Sequence, residues 1–268
     1  MALRVSIGQY HSADSPIHRL DPRVKLAATV VFMASCFFIQ SPATLMLGTA
    51  VVVAAVASAH VPLGRLFSQI RPIAIFLILT SVMNLFFVQT GEIALVLGPI
   101  RIFWGGAEAA ILYTIRFLLL LIAGSLLMLT TTPTSLTDAL GWLLAPLERI
   151  GVPVAEGTLV LSIALRFVPT LAREADNIVA ANIARGASFE GKGPVQRARA
   201  FIPLVVPLFA SAIRHADNLG RAMDARCYTG EGRTHYHELA FDIRRDGPFV
   251  AAAVAHIVLL TALRIAGI

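Results

Sequence analysis

Residues 105–131, "GGAEAAILYTIRFLLLLIAGSLLMLTT", form a long apolar run in which only Glu108 and Arg116 are charged. A helix needs about 20 mainly apolar residues to cross the hydrocarbon of a bilayer, so this run predicts a membrane-spanning helix. The whole chain has the same character, because 57% of its residues are hydrophobic and only 14% are charged. Soluble domains carry about 25% charged residues. The sequence therefore predicts an all-α integral membrane protein.

Four more segments are apolar enough to predict membrane spans, which makes about five in total. They are 24–40, 42–60, 72–90 and 247–267. Pro62 and Pro72 bracket a short segment that we expect to lie at the interface, and "GPIRIFWGG" at 98–106 predicts an outer loop with Trp104 at the membrane surface.

The positions of Lys and Arg predict the orientation. Residues 1–25 hold four of the 22 basic residues, and residues 133–246 hold thirteen. Arg65 and Arg71 fall on the same side as these two regions, whereas the opposite loops contain only Arg101 and Arg264. Loops rich in Lys and Arg stay in the cytoplasm. We expect a multi-pass membrane protein with its N-terminus and residues 133–246 in the cytoplasm.

Arg116 lies near the middle of its predicted span, where a lone charge costs about 2.5–3.5 kcal/mol on insertion scales. One interpretation is a site for a bound anion or substrate. The other is an arginine that faces the bundle interior and is satisfied by carbonyls or by hydroxyls such as Thr114 or Ser125. Both remain open from the sequence.

The polar block predicts a separate domain. The boundaries are 1–132 for the N-terminal segment and four spans, 133–246 for a cytoplasmic coupling domain, and 247–268 for the last span. The domain begins with "TTPTSLTDALGWLLAP", which predicts a short amphipathic helix at the membrane surface that ends before Pro153. Two long helices follow, at 155–186 and 195–227, with prolines at 169, 203 and 207.

The two long helices share a repeated segment. "READNIVAANIAR" at 173–185 and "RHADNLGRAMDAR" at 214–226 are identical at seven of thirteen positions, where chance gives about one. Small residues share a helix face in each copy, and such a stripe allows helices to cross closely. The predicted crossing residues are Asn177, Ala181, Asn218 and Ala222.

Each copy ends in an arginine. For a single copy, Arg185 followed by Gly186 is explained by an ordinary helix end, in which a cation complements the dipole and glycine caps the C-terminus. Two copies with the same upstream residues favour a paired docking device. Cys227 replaces glycine in the second copy, and cysteine adopts a left-handed backbone less readily.

Several stretches of the chain resemble one known family. "IARGAS" and "DARCYTG" resemble the paired Ala-Arg-Gly motifs of the transmembrane (T) component of energy-coupling factor (ECF) transporters. "DSPIHRLDPRVKL" near the N-terminus and "LRFVPTLAREAD" before the first motif are also similar to that family, and the resemblance covers nearly the whole chain.

The resemblance implies a non-catalytic coupling subunit for vitamin or metal-ion uptake in the cell membrane of a prokaryote. Its partners would be two ABC ATPases, a membrane-embedded substrate-binding S component, and membrane lipid. The resemblance places ATPase docking at two triplets, Ala184-Arg185-Gly186 and Ala225-Arg226-Cys227. It implies no cofactor, resident metal or nucleic-acid partner. The difference between Gly186 and Cys227 is compatible with two non-identical ATPases.

Other functions find weaker support in the sequence. No phosphate-binding G-x-x-x-x-G-K-[ST] motif is present, so ATP hydrolysis is expected in partner chains. A membrane-bound enzyme acting on a lipid could use Asp176 and Asp217, but arginines three residues earlier on each helix explain them as ion pairs. A secondary transporter would need membrane-embedded acids and broken helices in matched halves.

A metal site is a further alternative that the sequence only weakly supports. His235, His237 and Glu238 lie close together in "GEGRTHYHEL", but no other ligand cluster accompanies them, so a solvated loop is favoured. His11 and His18 are expected at the surface.

Overall fold

The computed structural model describes residues 10, 13–97, 100–187, 194–230 and 241–266. These residues form nine α-helices, one 3-10 helix and one short β-hairpin. In chain order the elements are α1 (Pro16–Arg19), α2 (Pro22–Cys36), α3 (Pro42–Ala59), α4 (Leu63–Phe87), β1 (Ile93–Leu97), β2 (Ile100–Phe103), α5 (Trp104–Thr130), α6 (Pro133–Leu144), the 3-10 helix (Ala145–Ile150), α7 (Val154–Ala184), α8 (Pro194–Asp224) and α9 (Ile243–Ile265).

The chain divides into two compact units. Among the described residues, the first unit comprises 10, 13–97, 100–144 and 241–266, and the second comprises 145–187 and 194–230. The predicted boundaries at 133 and 247 differ from this division, because α6 belongs to the first unit. There α6 packs on α2, and the Arg23 guanidinium lies 5.6 Å from the Trp142 ring centroid.

Helix starts in the first unit follow local sequence rules. Ser15, Asp21 and Ser41 cap α1, α2 and α3 through their side chains, and a proline follows each cap. Proline suits this position because its missing N–H would have had no partner in the first turn. Ser41 and Thr44 form a complete capping box.

Among the described residues, five helices are long and apolar enough to cross a membrane, but they are not the five that the sequence predicts. Pro42–Ala59, Gly64–Phe87, Trp104–Thr130 and Ile243–Ile265 correspond to predicted spans. The predicted span 24–40 is instead the 15-residue helix α2, whose length of about 22 Å is short of a hydrocarbon core of about 30 Å. The fifth candidate is Val154–Ala184, predicted as a cytoplasmic helix.

One further prediction about the first unit is wrong, and a second is refined. Pro72 does not end a short interfacial segment, because α4 runs through it without interruption; proline is tolerated inside membrane helices. The predicted loop at 98–106 contains strand β2, which pairs antiparallel with β1, and then the first turn of α5. A β-carbon at Gly106 would lie 2.8 Å from the Leu85 carbonyl oxygen, so a larger residue would separate α4 from α5.

A buried polar cluster connects three helices of the first unit. The Asp246 side chain is fully buried and accepts hydrogen bonds from the backbone N–H groups of Asp21 (3.1 Å) and Asp242 (3.0 Å). The Lys25 ammonium group donates to the carbonyl oxygens of His18 (3.0 Å) and Thr130 (3.1 Å). Because these bonds link α2, α5 and α9, the cluster joins segments that are far apart in sequence.

Candidate docking site at two helix ends

The second unit presents the repeated segment at the ends of its two long helices. Helix α7 runs continuously through Pro169, and α8 runs through Pro203 and Pro207. Both copies of the repeat are therefore helical along most of their length, as predicted.

The end of α7 is a complete Schellman motif. Gly186 has a φ of 85°. Its N–H donates to the carbonyl oxygen of Ile183 at 2.9 Å, and the N–H of Ala187 donates to that of Asn182 at 3.0 Å. These two bonds satisfy carbonyl groups that the last turn of a helix leaves without partners.

The end of α8 has the same hydrogen bonds at the equivalent positions, although Cys227 replaces the glycine. The N–H of Cys227 donates to the Asp224 carbonyl oxygen at 2.9 Å, and that of Tyr228 donates to Met223 at 3.1 Å. Cys227 has a φ of 55°, which lies in the left-handed region. The non-glycine residue therefore preserves the cap geometry at the cost of backbone strain.

Both arginines are exposed at these ends. Neither the Arg185 nor the Arg226 guanidinium makes a hydrogen bond or ion pair with any residue that the structure describes. They do not bond the last carbonyls of their own helices through their side chains. Their neighbours in the predicted docking triplets, Ala184, Gly186, Ala225 and Cys227, are also exposed.

Side-chain contacts between α7 and α8 occur near the start of the repeated segment. The Ser211 hydroxyl donates to Glu174 Oε1, and His215 Nε2 lies 3.5 Å from Glu174 Oε2. The rings of Phe167 and His215 have centroids 5.6 Å apart. Glu174 and His215 occupy the same position in the two copies of the repeat, so the copies meet at one of the positions where they differ.

The predicted crossing residues do not make this contact. Asn177, Ala181, Asn218 and Ala222 are all exposed. Ala181 follows Glu174, and Ala222 follows His215, by seven residues, which places each alanine on the same face about two turns further along. The stripe of small residues thus lies beyond the contact.

Sequence reasoning missed the Glu174–His215 pair because it compared only the identical positions of the repeat. The signal was present in the non-identical positions, where an acid in one copy aligns with a histidine in the other. Complementary residues at equivalent positions are expected where two copies of a segment contact each other.

The other candidate residues divide between described and undescribed segments. Arg173 Nε donates to the Pro169 carbonyl oxygen at 3.3 Å, which differs from the ion pair expected with Asp176. His235, His237 and Glu238 lie outside the described residues, as does His11. His18 Nδ1 lies 2.7 Å from the Ser15 hydroxyl at the start of α1.

Comparison with known proteins identifies the family. The family model CbiQ, described as a cobalt transport protein, matches residues 13–236. The ECF transporter transmembrane protein EcfT of Heliobacterium modesticaldum is 42% identical over 236 residues, which cover 88% of both chains. The EcfT of Acidaminococcus fermentans is 39% identical over 265 residues, or 98% of both chains. The chain belongs to the transmembrane components of ECF transporters.

Another relative is a much longer protein, and about a third of it is similar to this chain. A putative ABC transporter ATP-binding protein of Bifidobacterium longum is 45% identical over 252 residues, which are 94% of this chain but 32% of that protein. None of these relatives supports the alternative of a membrane-bound enzyme acting on a lipid. Both helix ends lie inside the region that the family model matches. The family predicted from the two motifs is thus confirmed by similarity over nearly the whole chain.

Proposed function

We propose that this ECF transmembrane component couples two ABC ATPases to a substrate-binding S component, and that Arg185 and Arg226 dock the ATPases. The observation that carries the proposal is the pair of matching helix ends, each of which leaves an exposed arginine without a partner among the described residues. ATP hydrolysis takes place in the partner chains. The substrate is a vitamin or a metal ion held by the S component.

The geometry suits a docking role. An α-helix that ends in a Schellman motif directs the chain away from the helix axis, so the residue before the left-handed position stands at the tip. A guanidinium at such a tip can form two parallel hydrogen bonds with a carboxylate or with carbonyl groups in a groove. Because the two ends share their backbone geometry, they fit two similar grooves.

The Bifidobacterium longum relative supports the ATPase partnership. It is named as an ABC transporter ATP-binding protein, and only 32% of its length aligns with this chain. Gene fusion joins proteins that function together, so a sequence like this one inside a protein of that name favours an ATPase partner. We therefore propose that ABC ATPases act together with this sequence.

We propose that the second unit, including α7, lies in the cytoplasm. Helix α7 is apolar enough to span a membrane by composition. It carries Arg166, Arg173, Glu174 and Asp176, however, and contacts α8 through the polar residues Ser211 and His215. Charged groups are costly inside a bilayer, whereas a cytoplasmic helix bears them without cost. Membrane lipid then surrounds the first unit.

The docking proposal is tested by copurification from mild detergent. We expect Arg185→Glu combined with Arg226→Glu to reduce ATPase recovery at least tenfold, since truncation of a buried charged contact typically costs about 2–5 kcal/mol. Arg149→Glu with Arg166→Glu is the matched control, because both arginines are exposed in the same unit away from the helix ends. Equal recovery with both double variants would refute the docking role. The stability of the docking variant should change by less than about 0.5 kcal/mol.

The orientation is tested with the natural cysteines. Cys227 is exposed and Cys36 is fully buried, so a membrane-impermeant maleimide should label Cys227 alone. We expect labelling in inside-out vesicles and none in intact cells. Labelling in intact cells, with Cys227→Ser as the blank, would place the second unit on the opposite side.

A further inference from the structure

Two arginines of the first unit converge on one corner of the helix bundle. Arg116 lies 6.0 Å from the ring centroid of Phe37, and Arg264 lies 5.3 Å from that of Phe38. Phe37 and Phe38 are consecutive residues in the turn between α2 and α3. Residues from three separate parts of the sequence thus bring two positive charges to adjacent aromatic rings.

Neither arginine has a negatively charged partner among the residues that the structure describes. None of the ion pairs and side-chain hydrogen bonds found among the described residues includes Arg116 or Arg264. The hydroxyl of Thr114, which the sequence suggested as a partner for Arg116, is buried and has no hydrogen bond. Aromatic rings attract cations, but they provide no hydrogen-bond acceptor of full charge. The two guanidinium groups therefore lack an anion.

The direction of the Arg116 side chain indicates where that anion would come from. Arg116 also lies 4.9 Å from the ring centroid of Tyr113, one turn closer to the start of α5. Side chains on a helix lean towards its N-terminus, and a long basic side chain in a membrane helix extends its charge towards the headgroups. The Arg116 side chain thus extends from the middle of α5 towards its N-terminal end, which is at Trp104.

The surroundings of this corner are apolar and exposed. Phe37 is 67% exposed and Phe38 is 50% exposed, and in a membrane such rings contact acyl chains. A ligand that pairs with the two arginines and also covers the two phenylalanine rings must therefore combine an anionic group with a hydrocarbon tail. Phospholipids have this chemistry, and Arg binds phosphate through paired hydrogen bonds.

We propose that Arg116 and Arg264 bind the phosphate of one anionic phospholipid, whose acyl chains lie on Phe37 and Phe38. The lipid supplies the negative charge that these two arginines do not find among the described residues. This site lies wholly in the first unit and does not depend on the docking of ATPases to the second unit.

The test is native mass spectrometry of the purified protein after titration with phosphatidylglycerol. We expect one lipid to bind the wild type at least tenfold more tightly than Arg116→Gln combined with Arg264→Gln. Arg264→Gln alone should weaken binding by an intermediate factor, and it removes only an exposed residue near the end of α9. This single variant keeps the test decisive if the double variant does not fold.

The matched control is Arg65→Gln combined with Arg71→Gln, which removes the same charge from exposed positions on α4. It should bind phosphatidylglycerol as the wild type does. Equal weakening in both double variants, or no weakening in either, would overturn the proposal. Diacylglycerol has the acyl chains without the phosphate, and binding as tight as that of phosphatidylglycerol would also overturn it. Displacement of the lipid by millimolar inorganic phosphate would show that the site takes a free anion instead.

Discussion

Lys25 and Asp246 in the first unit, and Arg185 and Arg226 in the second, are all charged, but their surroundings differ. Lys25 is only 8% exposed and donates to two carbonyl groups, and Asp246 is fully buried and accepts from two backbone N–H groups. Arg185 and Arg226 are exposed, and no described residue pairs with them. The buried charges of Lys25 and Asp246 thus serve the fold, whereas the charges at the two helix ends are available to another molecule.

This comparison separates two kinds of substitution. Where a charged group is buried and satisfied inside the chain, its removal leaves polar groups without partners and lowers stability. Where it is exposed and unpaired, its removal leaves the fold unchanged and affects only what the protein binds. The predictions that follow test this distinction, and also the smaller difference between the two helix ends.

The largest effect is expected from Asp246→Ala. This substitution leaves the N–H groups of Asp21 and Asp242 without their Asp246 acceptors and breaks the Arg245–Asp246 ion pair, so we expect the free energy of unfolding to fall by about 3–5 kcal/mol. Thermal unfolding in detergent measures the change. Asp138→Ala removes an exposed carboxylate from the same unit and should alter stability by less than about 0.5 kcal/mol. Similar values for the two variants would contradict a structural role for the buried cluster.

An intermediate effect is expected from Glu174→Ala in the second unit. Ser211 is 4% exposed and would lose its acceptor, and a buried hydroxyl without a partner costs about 1–3 kcal/mol. Amide hydrogen exchange along α7 and α8 around the contact should accelerate accordingly. Asp217→Ala, on an exposed position of α8, should leave exchange there unchanged. Unchanged exchange in Glu174→Ala would mean that apolar packing alone holds the two helices together.

The smallest effect is expected from Cys227→Gly. A left-handed backbone is unfavourable for cysteine, but glycine gains extra freedom in the unfolded chain, so the net stabilisation of the α8 end should be about 0.5–1 kcal/mol. Hydrogen exchange of the amides at 227 and 228 should slow by a factor of about 2–5. Gly186→Cys is the reciprocal variant, and it should accelerate exchange at 186 and 187 by a similar factor. If neither variant changes exchange, Cys227 carries no strain.

Much of the architecture could be predicted from local patterns. Ser-Pro and Asp-Pro pairs begin helices because the cap side chain and the fixed proline backbone act within one turn, and apolar runs of about 20 residues predict membrane helices. The repeat located both helix ends, and the family followed from its motifs. A proline, however, does not reveal whether a helix continues, and α4 and α7 both pass through one.

The sequence by itself determined that this protein is a helical membrane component with two similar arginine-tipped helices, because those features arise from interactions between residues less than a few turns apart. Only the tertiary structure decided how distant residues meet. It placed Asp246 against Asp21, Glu174 against His215, and Arg116 and Arg264 on neighbouring rings. Such contacts depend on how whole helices pack. The local sequence pattern carries little information about that packing. A charged residue has the same sequence neighbours whether its partner lies in the protein or in another molecule.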